Sequence, residues 1–125
     1  MALNAALAGE PSAQANSIGL VKDSTDNSWQ LISRNATLLT RFSTGAVITA
    51  GQILDFTMFA PPNANSVTFR LVDAVTGTVL VDNVVVNTNL PVNTTFLYAH
   101  AQIRSTVGTT AKLLALNRIY VETDL

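Results

Sequence analysis

His100 is the single histidine of the chain. As a general base it would need a nucleophile within hydrogen-bond reach and a third group to orient the ring. Its neighbours, Leu97-Tyr98-Ala99-His100-Ala101-Gln102-Ile103, alternate in the manner of a strand and supply neither. Metal sites recruit several His, Cys or acidic ligands, so a hydrogen-bonded strand residue is the plainer reading. Cysteine is absent, which removes disulfides, thiolate zinc sites and a thiol nucleophile together. Glu122 and Asp124 stand two apart and would share a face in a strand. Oxygen ligands suit calcium, but a solvated chain end is the simpler account. Asp73 and Asp82 flank a hairpin and would face each other across it. Glycosidase chemistry needs two carboxyls at a set separation in a cleft, whereas surface hairpin aspartates chiefly aid solubility. Trp29, the sole tryptophan, follows the turn-rich "DSTDNS" at the start of a strand. Aromatic rings there either stack on sugars or pack inward, which makes Trp29 the ligand-binding candidate. Gly45, Gly51 and Gly77 stand alone, without a phosphate-cradling pattern. These residues point to no enzyme, no metal and no cofactor.

The elements that would position such residues follow from composition. A chain of 125 residues fits one domain. Hydrophobic residues make up 48% and charged residues 12%, about half the usual globular share of roughly 25%. Charge therefore covers little of the apolar surface. A second chain is the simplest cover, since interface cores are depleted in charge. Net charge is −1, and the seven Lys and Arg residues are dispersed with no two adjacent. No field recruits nucleic acid or an anionic membrane. No window approaches the roughly 18 apolar residues of a membrane span, and "MALNAALAGEPSAQ" lacks the basic start and apolar core of a signal peptide. Synthesis and assembly in a cytoplasm are expected.

Residues 1–16 are Ala-rich and broken by Gly9 and Pro11. Leu3 and Leu7 lie four apart, one apolar edge of a helix too short to hold alone in water. This segment reads as an arm, disordered until docked, with Leu3 and Leu7 as its docking residues, and residues 17–125 read as the β domain. From Ser17 the period becomes two. "SIGLVK", "WQLIS", "ATLLTRFS" and "GAVITAGQILDFTMFA" are strand candidates, the last divided at Ala50-Gly51. "SVTFRLVD" and "TVLVDNVVV" form a hairpin over "AVTG", where Gly77 supplies a left-handed conformation. "TTFLYAHAQIRS" and "AKLLALNRIYVETD" complete the pattern as long strands. In the last, Leu114, Leu116 and Tyr120 share a face, with large apolar residues on the other face too. With Tyr98 these three are the candidate interface between copies. About eight strands with turn signals every 8–12 residues predict an all-β, antiparallel sandwich.

The run from "LLTRFSTGAVITAGQILDFTMFA" through "VTFRLVDAVTGTVLVDN" to "LLALNRIYVETDL" resembles small β domains of tailed-phage virions, those of head fibres, capsid decoration proteins and tail-fibre tips. The resemblance covers about two thirds of the chain and rests on hydrophobic pattern, and fold alone does not fix function. It implies a jelly-roll-like sandwich that forms a homotrimer, tethered by its N-terminus to the major capsid protein or another virion protein. Its location would then be the virion, assembled in the host cytoplasm. The sequence departs from the longer fibres in having no coiled-coil shaft, which favours a compact, non-enzymatic knob on the capsid. The alternative is a receptor- or carbohydrate-binding tip that contacts host-surface glycan through loops 23–29, 61–66 and 87–95.

Overall fold

Alternating apolar and polar residues bury one face of a strand and wet the other, and six segments of the chain do so. The computed structural model describes residues 9–62, 64–95, 97, 99–101, 103 and 114–121. After a 3-10 helix at Pro11–Ala13 come β1 (Ser17–Val21), β2 (Ser28–Arg34) and β3 (Leu39–Val47), then β4 (Leu54–Phe59), β5 (Val67–Asp73) and β6 (Val79–Val86). They form two antiparallel three-stranded sheets, ordered β1-β2-β3 and β4-β5-β6. The protein is all-β, with almost no helix.

One core serves both sheets. Phe69 and Leu71 of β5 are fully buried with Leu31 of β2, and Val67, Val81 and Val86 complete the cluster. Ile18, Leu20, Leu54 and Phe56 pack around it, and the Phe56 and Phe69 rings stack with centroids 5.9 Å apart. A polar seam runs beside these apolar contacts. The buried Ser33 hydroxyl of β2 donates to the Thr88 carbonyl at 2.6 Å, and the Asn89 amide donates to Thr40 Oγ1 of β3 at 2.9 Å. Phe69→Ala would remove a ring shared by both sheets, at a cost of about 3–5 kcal/mol.

The hairpin at 69–83 forms as its turn chemistry dictates. Gly77 adopts φ 73°, and its N–H donates to the Asp73 carbonyl at 2.8 Å. Asp73 Oδ1 accepts from the N–H groups of Val75 and Thr76.

Three sequence expectations are corrected. The described strands number six rather than about eight. "ATLLTRFS" and "GAV" are one strand, because Gly45 at φ 69° sits in a bulge where Ser28 pairs with Val47 but Gln30 with Ser43. Jelly-roll connectivity, in which successive strands change sheets, does not occur among the described residues: each sheet is a meander of consecutive strands.

The chain divides into two units, residues 1–95 and 96–125. In the second, the described residues 97, 99–101, 103 and 114–121 belong to no strand. The two long closing strands expected there are therefore absent from the described residues. Alternation prepares a strand face, but a ladder also needs a neighbouring backbone.

Candidate functional site

Among the described residues the densest charged cluster lies on the face of the first sheet opposite the shared core. Successive residues of a strand point to opposite faces, so Ile32 points away from its neighbour Leu31. The register places Ile32 between Gly19 and Arg41, and it is 2% exposed although outside the core cluster. The N-terminal segment engages this face. Ser12 is buried, and its N–H donates to Asp23 Oδ1 at 3.0 Å while its hydroxyl donates to Asp23 Oδ2. Arg41 Nη1 reaches the Ser12 hydroxyl at 3.1 Å and Asp23 Oδ2, and its Nη2 donates to Asp26 Oδ2 at 2.6 Å. Arg34 Nη1 donates to the Ser12 carbonyl at 3.3 Å. Beside it, Glu10 accepts from the Ser24 N–H at 2.9 Å.

Electrostatics hold this clasp in its charged state. Burial pushes the Asp23 carboxyl up, but hydrogen bonds from the Ser12 hydroxyl and N–H, with those and the charge of Arg41, outweigh it. The carboxyl ends below its ordinary value of 3.8. Burial likewise lowers the Arg41 guanidinium, and the two aspartates more than restore it. Donors and acceptors turn on one another. The arrangement fastens Glu10–Ala13 to the sheet.

A second feature is an opening of about 670 Å3 where loops 61–66 and 87–95 meet. Ile18, Val67 and Leu90 form apolar wall, and Asn65, Asn87 and Asn93 supply amides. Two of the three loops expected to hold a ligand are thus brought together. The third, 23–29, is not among its lining residues. Trp29, half-buried, donates through Nε1 to Gln52 Oε1 at 3.2 Å and is not at this opening either.

The remaining sequence candidates are dispersed. Asp73 caps its own turn, where the N–H groups of Thr76 and then Val75 hold its carboxyl below the usual value. Asp82 accepts from Asn83 Nδ2 and follows Val81, the partner of Leu71, whereas the Asp73 N–H donates to the Thr78 carbonyl, so the two do not face each other. His100 is exposed. Leu114, Leu116 and Tyr120 are 41%, 55% and 68% exposed on a single chain. Leu3, Leu7, Tyr98, Glu122 and Asp124 lie outside the described residues. Among the described residues no group of three or more His, Cys, Asp or Glu is placed to hold a metal, and no helix is long and apolar enough to cross a membrane.

Sequence reasoning missed the clasp. Ser12 reads as arm, Asp23 and Asp26 read as turn formers, and Arg41 reads as one dispersed cation. The weak signal available was an Arg on an outward strand position of a chain with few charges. Compared with known proteins, the chain matches no family model, no curated protein and no solved structure.

Proposed function

We propose that this is a non-enzymatic structural protein of a tailed-phage virion, a trimeric capsid decoration or head-fibre knob. In this reading the two meanders are the two layers of one β-sandwich. The observation that carries it is the apolar surface left on one copy. Phe42, Met58 and Phe59 on edge strands, and Leu116, Ile119 and Tyr120 near the end of the chain, are each more than two-fifths exposed. Apolar groups left in water are what a second chain would cover, and with 12% charged residues the chain has few means of keeping them wet.

The anchor is residues 1–8, with Leu3 and Leu7 as its apolar contacts, because the clasp already engages Glu10–Ala13. Three copies on one knob make weak individual docking sufficient. Two measurements test the proposal. Sedimentation equilibrium at micromolar concentration is expected to give a trimer, and a stable monomer overturns it. Deletion of residues 1–8 is expected to leave trimer and Tm unchanged and to abolish rebinding to stripped phage heads. Full occupancy by the truncated chain assigns docking to the knob itself.

A second reading is favoured by the opening between loops 61–66 and 87–95. Its apolar wall and three asparagine amides suit a sugar, as in a receptor- or carbohydrate-binding tip. Glycan-array binding lost on Asn65→Ala would support it, and a blank array would remove it.

A further inference from the structure

We infer that residues 114–121 of one copy add as an antiparallel strand to the outer edge of β4 in a second copy, with Arg118 opposite Asp55. The inference deepens the proposed assembly and rests on copies associating, but it commits to which surfaces meet.

The two surfaces are complementary in kind, and among the described residues neither is part of a ladder on the side concerned. β4 pairs with β5 on one side, and among the described residues no strand pairs with its other side. Natural edges are blunted by bulges, prolines or several charges. This one runs six residues with a regular register and a single charge, Asp55. Residues 114–121 in turn belong to no ladder, yet they alternate as a strand does. The Arg118 Cζ lies 5.6 Å from the Tyr120 ring centroid, so these two side chains, two positions apart, already lie together.

Charge and side-chain pattern select one register. Asp55, Thr57 and Phe59 on the outward face of β4, and Ile53 just before it, are all exposed. Placing Arg118 across from Asp55 in antiparallel sense sets Leu116 by Thr57, Leu114 by Phe59 and Tyr120 by Ile53. The two most exposed apolar groups of that edge, Phe59 at 59% and Ile53 at 57%, both gain apolar partners. On the core side Ile119 falls beside Leu54, and the small Ala115 beside Met58. A parallel pairing through the same ion pair leaves Phe59 without one of these partners. Such strand addition draws its strength from main-chain hydrogen bonds and its choice of register from alternate side chains. Opposite charges directly across a ladder stabilise it, and like charges oppose it.

The absence of cysteine makes the test direct. Two full-length chains, each with one introduced cysteine and its own tag, are co-expressed and treated with a short thiol cross-linker. Thr57→Cys with Leu116→Cys is expected to give a cross-linked heterodimer, and Ile53→Cys with Leu116→Cys is not. A charge exchange checks the register by a second route. Asp55→Arg and Arg118→Asp are each expected to weaken association about tenfold, and the double exchange to recover most of it. Oligomers that form without the in-register cross-link, or with both cross-links equally, overturn this pairing and leave the proposed assembly standing. A monomer at all concentrations overturns both. A doubly substituted chain that closes its cross-link within one copy also overturns the pairing.

Discussion

The clasp at Ser12, Asp23, Asp26 and Arg41 and the segment 114–121 treat their side chains in opposite ways. In the first, almost every polar atom finds a partner within the same chain, across sequence separations from 11 to 29 residues. In the second, large apolar groups stand exposed on residues that belong to no strand. A buried carboxylate such as Asp23 must find its partners inside the fold, because an orphaned charge is costly to keep. An apolar strand can wait for a second molecule, since water penalises it in proportion to area. Under the proposed assembly, the contrast separates what stabilises one copy from what would join copies.

The sharpest way to break this contrast is Arg41→Ala. It leaves Asp23, at 5% exposure, charged and without its cation, and a loss of about 3–5 kcal/mol is expected. Urea unfolding measures it; a loss under 1 kcal/mol would mean the guanidinium is dispensable and the clasp is not what fastens the N-terminal segment. Association should be affected less than by Leu116→Asp, which comes next. A charge at that apolar position is expected to weaken assembly about a hundredfold, roughly 2.7 kcal/mol, while the β4-β5-β6 hairpins keep their circular dichroism. Sedimentation at several concentrations reads the effect, and unchanged assembly would remove 114–121 from the interface. Ser12→Ala should cost about 1–2 kcal/mol through the hydrogen bonds lost to Asp23 and Arg41. Equal stability in thermal melts would show that the Ser12 N–H alone suffices.

The smallest expected effect is acid dependence. Asp23 has a folded value below its ordinary 3.8, so an unfolded chain takes up its proton first as pH falls. The clasp therefore contributes in full above about pH 4, and that contribution fades as pH drops through the folded value. Asp73 is shifted in the same direction and adds to the same limb. The stability difference between wild type and Ser12→Ala isolates Asp23: it should narrow below pH 4 and stay flat from pH 5 to 8. A difference that is constant through the acid limb would show that Ser12 does not hold the carboxyl ionised.

How far each region was legible in the sequence follows from the distance over which its structure is decided. The 69–83 hairpin is settled by neighbours, an alternating run and a glycine that reaches positive φ, and it appears where the pattern puts it. The break read at Gly45 is instead a bulge, because glycine marks either one and only the partner strand decides. The clasp joins a loop serine, two turn aspartates and a strand arginine that no local rule connects. The strand expected over 111–124 has the right alternation, yet its described part, 114–121, belongs to no strand, because alternation does not say which backbone would supply the ladder. Of the candidate residues, Trp29 and Leu114, Leu116 and Tyr120 can be placed on the structure, and the two leucines of the arm and Tyr98 cannot.

The clasp also sets how the molecule would answer to pulling. Tension entering at the N-terminus passes Gly9 and meets Ser12, which is held by Asp23 between β1 and β2, by Arg34 at the end of β2 and by Arg41 on β3. Those grips distribute the tug over three strands at once, so β1 is not peeled away one hydrogen bond at a time. A tether attached there can be strained hard before the first strand lets go.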